Sequence, residues 1–169
     1  MKALLGVILM ALFLIAKPAL SWQKYDITFS NPANTSATHL SRINDKCMDS
    51  AGPLNFSVSN QYKMTIEDSN AGLGICAGIQ KKIIWAVSHT HNHASTDPKA
   101  CFVQLSVTYY WFDHWHAAIT STCENLISYA TCADMDCLNY CSDLNNCHMT
   151  KMGSVGVHTP DFISIGFSK

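Results

Sequence analysis

Residues 102–110 read Phe-Val-Gln-Leu-Ser-Val-Thr-Tyr-Tyr, and apolar side chains alternate along them with polar ones. Side chains of a β-strand point to opposite faces in turn, so this pattern predicts a strand with one buried and one wetter face. The predicted buried face carries Val103, Leu105, Val107 and Tyr109.

Short runs of the same kind recur along the chain between turn-forming residues, and no window has the periodicity of an amphipathic helix. The sequence therefore predicts an all-β fold, a single-domain antiparallel β-sandwich or a small barrel with disulfide-braced loops. The other predicted strands are 25–29, 54–58, 62–66, 75–79, 83–87, 117–120, 126–130, 153–158 and 162–167.

The N-terminal segment 1–21 has the features of a secretory signal peptide. Lys2 is followed by an unbroken apolar run over residues 3–16, and Ala19 and Ser21 are small residues placed for cleavage before Trp22. A membrane anchor is the alternative, but Lys17 and Pro18 end the run short of the roughly 20 apolar residues that a spanning helix needs. We expect one mature domain over residues 22–169, without a transmembrane span.

The eight cysteines all follow the predicted leader, and an even number in an exported chain predicts disulfides. Four of them crowd into a polar segment at 132–147 that has too few apolar side chains to order itself by burial. A zinc knot is the alternative, yet the chain contains no Cys-x-x-Cys pair. The spacing leaves the pairing of the cysteines open. The cysteines are Cys47, Cys76, Cys101, Cys123, Cys132, Cys137, Cys141 and Cys147.

The charge of the chain argues against nucleic acid as a partner. The formal net charge is −1, charged residues make up 14% of the chain, and Arg42 is the single arginine. Without Lys2 and Lys17, the expected mature chain has 9 basic side chains against 12 acidic ones. A protein that binds nucleic acid needs many Lys and Arg contacts to phosphate, which this chain lacks.

The clearest motif with chemistry is Ser88-His-Thr-His-Asn-His93. Alternate residues of an extended chain share a side, and neutral imidazole is the commonest ligand of zinc and copper. We expect His89, His91 and His93 to bind Zn²⁺ or Cu²⁺ in a structural or recognitional role, since no general base accompanies them. A solvated polar loop with incidental histidines is the alternative. These histidines continue the alternation of Ile83, Trp85 and Val87, so they would face the core if the strand continued past Ser88.

Asp113, His114 and His116 form a second polar cluster. A tight turn at residues 97–99 would place His89 opposite Ser106, and the two histidine groups would then lie roughly 20 Å apart. We therefore expect two separate sites.

Aromatic side chains crowd the sequence before and within this second cluster. We expect Tyr110, Phe112 and Trp115 to form an exposed surface that binds a sugar ring, a protein or a lipid boundary. Ordinary core packing at the end of a strand is the alternative.

Together these features predict a secreted, disulfide-stabilised binding protein or effector that acts outside the producing cell, or passes through the periplasm if that cell is bacterial. Its partner is an unknown extracellular protein, glycan or surface. A metal-dependent hydrolase is the first alternative, although the chain has no Gly-x-Ser-x-Gly or His-Glu-x-x-His motif. A membrane-active, cytolysin-like sandwich is the second, although a basic face or an amphipathic helix is missing from the sequence.

Overall fold

The computed structural model describes residues 23–32, 36–69, 75–76, 79–89, 100–109, 115–147, 149–155 and 161–168. In these residues the chain forms β-strands and one short 3₁₀ helix, Leu144–Asn146. The strands are β1 Lys24–Ser30, β2 Thr38–Lys46, β3 Met48–Ser50, β4 Asn55–Val58, β5 Gln61–Asp68, β6 Lys81–Ser88, β7 Cys101–Tyr109, β8 Trp115–Ser121, β9 Ile127–Cys132, β10 Met135–Asp136, β11 Leu138–Tyr140, β12 Gly153–Val155 and β13 Asp161–Phe167.

Two sheets pack face to face, which confirms the predicted all-β sandwich. The first sheet has the order β10-β9-β13-β1-β5-β3, and the second has the order β11-β8-β7-β6-β2-β4. Strand β12 pairs with β8 on the second sheet. Neither sheet closes into a barrel within the described chain.

Both sheets are mixed, because two strand pairs of this otherwise antiparallel sandwich run parallel. Strands β1 and β13, from opposite ends of the described chain, run parallel, and so do β8 and β11. The remaining pairs are antiparallel. The parallel pairing of β1 with β13 puts β1 in the middle of the first sheet, between β13 and β5.

The core consists of the alternating apolar side chains that the sequence indicates. Ile27, Trp85 and Leu105 are each at most 1% exposed. The ring of Phe29 joins the two sheets, since its centroid lies 5.6 Å from that of Trp85 in an edge-on arrangement and 5.1 Å from that of Phe56. Burial of such side chains is worth about 1.5–3 kcal/mol each.

All eight cysteines form disulfides, as predicted. Cys132–Cys137 and Cys141–Cys147 close loops within the 132–147 segment, with sequence separations of 5 and 6. Cys47–Cys76 and Cys101–Cys123 span 29 and 22 residues. Four disulfides suit a stable protein in an oxidising, extracellular environment.

The described residues include no helix of sufficient length and apolar character to cross a membrane.

Candidate binding surfaces

The histidine motif begins where β6 ends. Strand β6 stops at Ser88, so the parity argument that directed all three histidines to the core does not apply beyond that residue. His89 is the next residue and is partly buried, whereas His91 and His93 lie outside the described residues.

His89 is oriented by a neighbour on β2. Its Nδ1 lies 3.0 Å from Oγ1 of Thr38, a fully buried residue. Its Nε2 is also buried and has no hydrogen-bond partner in the part of the chain that the structure describes. Burial, and next the charge of His39, lower the pKa of His89. Within the described residues, no group of three His, Cys, Asp or Glu side chains could hold a metal ion.

The register between β6 and β7 differs from the expected one. Lys82 rather than His89 lies opposite Ser106, a difference of seven residues along β6. Residues that are directly opposite in antiparallel strands share a face, so an odd shift would set apolar side chains against polar ones. The observed register pairs Ile83 with Leu105 and Trp85 with Val103, which brings the two apolar faces together. Strand β6 ends at Ser88 and β7 begins at Cys101, and the predicted turn at residues 97–99 lies outside the described residues.

Of the second polar cluster, the structure describes His116, while Asp113 and His114 lie outside the described residues. His116 is on β8 opposite Thr108 of β7, and the neighbouring Val107 is paired with Lys81 at the start of β6. His89 follows the last residue of β6, at the opposite end of that strand. At about 3.3 Å per residue, the two histidines are more than 20 Å apart, so His89 and His116 do not lie together, and the two sites stay a prediction.

Trp115 does not belong to an exposed aromatic surface. Its side chain is 2% exposed, and it begins strand β8 on the same face as the buried Ala117 and Ile119. The Lys81 ammonium lies 5.0 Å from the centroid of its ring. The expectation for Trp115 was wrong because the core-facing alternation of β8 starts at this residue. Tyr110 and Phe112 lie outside the described residues.

Sequence reasoning missed a buried polar cluster near the start of β1 and the end of β5. Asp68 is fully buried and accepts hydrogen bonds from the backbone N–H of Gln23, at 2.9 Å, and from the Tyr25 hydroxyl, at 3.4 Å. The side-chain amide of Gln23 donates to Asp161 at 2.7 Å. Nearby, the Lys81 ammonium donates to the backbone oxygen of Cys76 at 3.2 Å.

Burial dominates the electrostatics of this cluster. It raises the pKa of Asp68, although hydrogen bonding from Gln23 and the charge of Lys81 oppose the shift. It lowers the pKa of Lys81 and raises that of Tyr25. Lys81 lies on the apolar face of β6, two residues before Ile83. A lysine at such a core-facing position was the sequence signal for the cluster. With exposures of at most 6%, these side chains stabilise the end of the sandwich and offer no accessible chemistry.

Within the described residues, two aromatic side chains that were not predicted to bind a ligand are exposed. Phe162 on β13 is 65% exposed and Tyr129 on β9 is 43% exposed. Both lie on the outer face of the first sheet, which we define as the side of β9, β13, β1 and β5 turned away from the second sheet. The sequence signal was present, since Phe162 alternates with the buried Ile163 and Ile165.

A groove of about 410 Å³ runs beside Phe162 on this outer face. Polar side chains supply much of its lining, and the Thr65 hydroxyl donates to the Asp26 carboxylate at 2.5 Å. The groove thus combines one exposed ring with hydroxyl, carboxylate and ammonium groups. It is lined by Asp26, Ile27, Thr28, Lys63, Met64, Thr65 and Phe162.

A second groove, of about 360 Å³, lies on the second sheet beside the loop that the Cys141–Cys147 disulfide closes. Ile43 and Phe102, which are 47% and 37% exposed, form its apolar wall together with Leu144 of the 3₁₀ helix. Among the described residues that line this second groove, Asp143 is the single charged one, whereas Asp26 and Lys63 both line the groove beside Phe162.

No protein-family model matches the chain, and no curated protein matches its sequence.

Proposed function

We propose that the protein is a secreted binding protein that acts outside the producing cell and holds its ligand on the outer face of the first sheet. The observation that carries this proposal is the 65% exposure of Phe162 beside a groove that polar side chains line together with Ile27 and Met64. The four disulfides support action in an oxidising, extracellular medium.

The exposed ring of Phe162 is not part of the hydrophobic core. The inward side chains of β13, Ile163 and Ile165, are fully buried, so the strand is anchored without Phe162. A large apolar ring in water contributes little to folding but gains free energy when a ligand covers it. Aromatic side chains of this kind are frequent among the residues that dominate binding energy.

The test is a binding screen on the disulfide-bonded mature protein labelled with ¹⁵N. The panel contains soluble oligosaccharides, short peptides and small aromatic compounds, and chemical-shift changes locate each ligand. We expect changes centred on Asp26, Thr65 and Phe162, and we expect Phe162→Ser to weaken the binding about tenfold.

Leu54→Ser is the matched control, because Leu54 is 60% exposed but does not line the groove. It should leave binding unchanged. Binding that maps elsewhere, or that keeps its full affinity in Phe162→Ser, would contradict the proposal.

The histidine motif supports a second candidate function, binding of Zn²⁺ or Cu²⁺ by His89, His91 and His93. The specific observation is the pair of nitrogens of His89, of which Nδ1 contacts Thr38 while Nε2 has no hydrogen-bond partner among the described residues. Histidine ligands of metals commonly use one nitrogen for the metal and bond the other to the protein.

Metal content decides this second candidate. The mature protein, purified without chelator or His tag, should contain about one zinc or copper ion per chain by mass spectrometry, and His91→Ala should lose it. His116→Ala is the control, since His116 lies on β8, more than about 20 Å from His89. If the protein contains no metal and binds none on titration, the metal proposal is wrong and the histidines are incidental to a polar loop.

A further inference from the structure

We infer that the ligand of the outer face is a carbohydrate, a chain of uncharged pyranose sugars that lies along β13 from Phe162 to Tyr129. This inference rests on the proposed function and names its ligand class. It goes beyond the groove at Phe162, because it adds a second aromatic residue on a neighbouring strand.

The ring of Tyr129 lies over the glycine beside it on β13. Tyr129 on β9 is paired with Gly166 on β13. A Cβ built on Gly166 would lie 2.0 Å from Cε1 and 2.4 Å from Cδ1 of Tyr129, so the ring occupies the space above the glycine. Tyr129 is nevertheless 43% exposed, so part of its surface remains open to a ligand. An exposed aromatic ring suits stacking against the C–H face of a sugar.

The distance between the two aromatic positions indicates a ligand longer than one sugar. Phe162 and Gly166 are separated by four residues along β13, which corresponds to about 13 Å. A single sugar ring does not bridge that distance, whereas an oligosaccharide does.

Hydroxyl side chains fill the row between the two rings. Ser164 on β13 is paired with Thr28 on β1 and with Thr131 on β9, so three hydroxyl residues lie side by side across three strands. All three are partly exposed. Hydroxyl groups can both donate and accept hydrogen bonds, which matches the hydroxyl groups along the edge of a sugar chain.

The charges near this row favour an uncharged ligand. Asp26 and Lys63 both line the groove and have opposite charges. At its far edge, Lys24 and Glu67 form an ion pair at 3.8 Å. Neither sign dominates, so an anionic polymer or a basic peptide would gain little from the outer face. An uncharged molecule with apolar faces and hydroxylated edges fits these features, and a pyranose chain has that structure.

The experiment titrates the mature protein with neutral hexose and N-acetylhexosamine ligands, each as a monosaccharide and as oligosaccharides of increasing length. Calorimetry measures affinity and ¹⁵N chemical shifts locate the ligand. At least one oligosaccharide series should bind the outer face, with an affinity about tenfold higher than that of its monosaccharide.

Variants separate the two rings. Phe162→Ser should weaken both monosaccharide and oligosaccharide binding about tenfold. Tyr129→Leu keeps an apolar side chain beside Gly166 but removes the aromatic ring, so it should weaken the binding of the oligosaccharide and spare that of the monosaccharide. Phe162→Tyr and Tyr129→Phe keep the rings and should bind like the wild type. A thermal melt of each variant checks that it is folded.

The outcomes distinguish the inference from the proposed function. If peptides or aromatic compounds shift the outer face but no sugar does, the carbohydrate inference is overturned and the proposed function stands. If no compound shifts the outer face, both fall. Oligosaccharide binding that tolerates both Phe162→Ser and Tyr129→Leu would also overturn the inference.

Discussion

The hydroxyl of Tyr25 lies 3.4 Å from Oδ2 of Asp68, and both side chains are fully buried. The same carboxylate accepts a hydrogen bond from the backbone of Gln23. This contact ties the start of β1 to the end of β5, and it places an ionisable group where water cannot stabilise its charge.

The first prediction concerns the pH dependence of folding. Because burial raises the pKa of Asp68, the folded protein retains a proton at pH values where the unfolded chain has lost it. The stabilising contribution of that proton is complete below the unfolded pKa, about 4, and is lost as the pH rises through the folded pKa. Asp68→Asn should abolish this component and flatten the decline in the free energy of unfolding above about pH 4.

Urea unfolding at a series of pH values measures that free energy. The control is Asp134→Asn, because Asp134 is an exposed carboxylate with a φ of 65° that asparagine also adopts. The control should preserve the wild-type profile. An unchanged profile in Asp68→Asn would show that this carboxylate does not govern the decline.

Much of the fold could be predicted from alternation alone, because buried strands of a sandwich must alternate. The strands around Ile27, Leu105 and Ile165 were all predicted, and these side chains are buried. The predicted strand at 75–79 was wrong, since Ile75 and Cys76 lie in a turn and Ile75 is 89% exposed.

Strand β2 was missed because its sequence hides the alternation. The residues of Thr38–Lys46 are mostly polar, and the register with β6 shifts between Arg42 and Asn44. Such a bulge breaks the period of two on which sequence patterns depend. Pairing with β4 and β6 holds this strand in place, and a single sequence does not contain that information.

The candidate site was harder to predict than the fold. Sequence reasoning placed the ligand-binding aromatics near Trp115, because aromatic residues are densest there. Density along the chain does not determine exposure, whereas the parity of each residue within its strand does. Phe162 is exposed because it alternates with Ile163, and Tyr129 is accessible because its partner across the strands is Gly166.

A second prediction concerns the disulfides. In the chain-entropy description, a longer closed loop restricts the unfolded state more strongly. Replacing Cys47 and Cys76 by alanine, which opens a separation of 29 residues, should therefore cost about 3.6 kcal/mol. Replacing Cys141 and Cys147, with a separation of 6, should cost about 2.2 kcal/mol. Denaturant unfolding of the two double variants gives the comparison, and a larger loss in the Cys141/Cys147 variant would refute the ranking.

A third prediction concerns the contact between Thr38 and His89. If His89 binds a metal through Nε2, the Thr38 hydroxyl at Nδ1 orients the ring, and its removal should weaken zinc binding about tenfold or more. Thr38→Val removes the hydroxyl while keeping the shape of the side chain. Thr38→Ser keeps the hydroxyl and serves as the control. Zinc competition titrations against a chromophoric chelator measure the affinities. Equal affinities for the two variants would show that the Thr38 hydroxyl does not support metal binding.

The last prediction compares two glycines at which a side chain would meet a neighbour. At Gly153, a Cβ would lie 2.5 Å from Cβ and 2.7 Å from the backbone oxygen of the buried Cys132. That residue is fixed by its disulfide to Cys137, so Gly153→Ala should cost about 1–3 kcal/mol of overpacking.

At Gly166, the obstacle is the partly exposed ring of Tyr129, which can swing away toward solvent. Gly166→Ala should therefore destabilise the protein less than Gly153→Ala. It should nevertheless reduce oligosaccharide binding, because the added methyl group displaces the ring from its place over residue 166. Thermal melts and calorimetric titrations of the two variants measure both effects, and full oligosaccharide affinity in Gly166→Ala would contradict the role assigned to the ring of Tyr129.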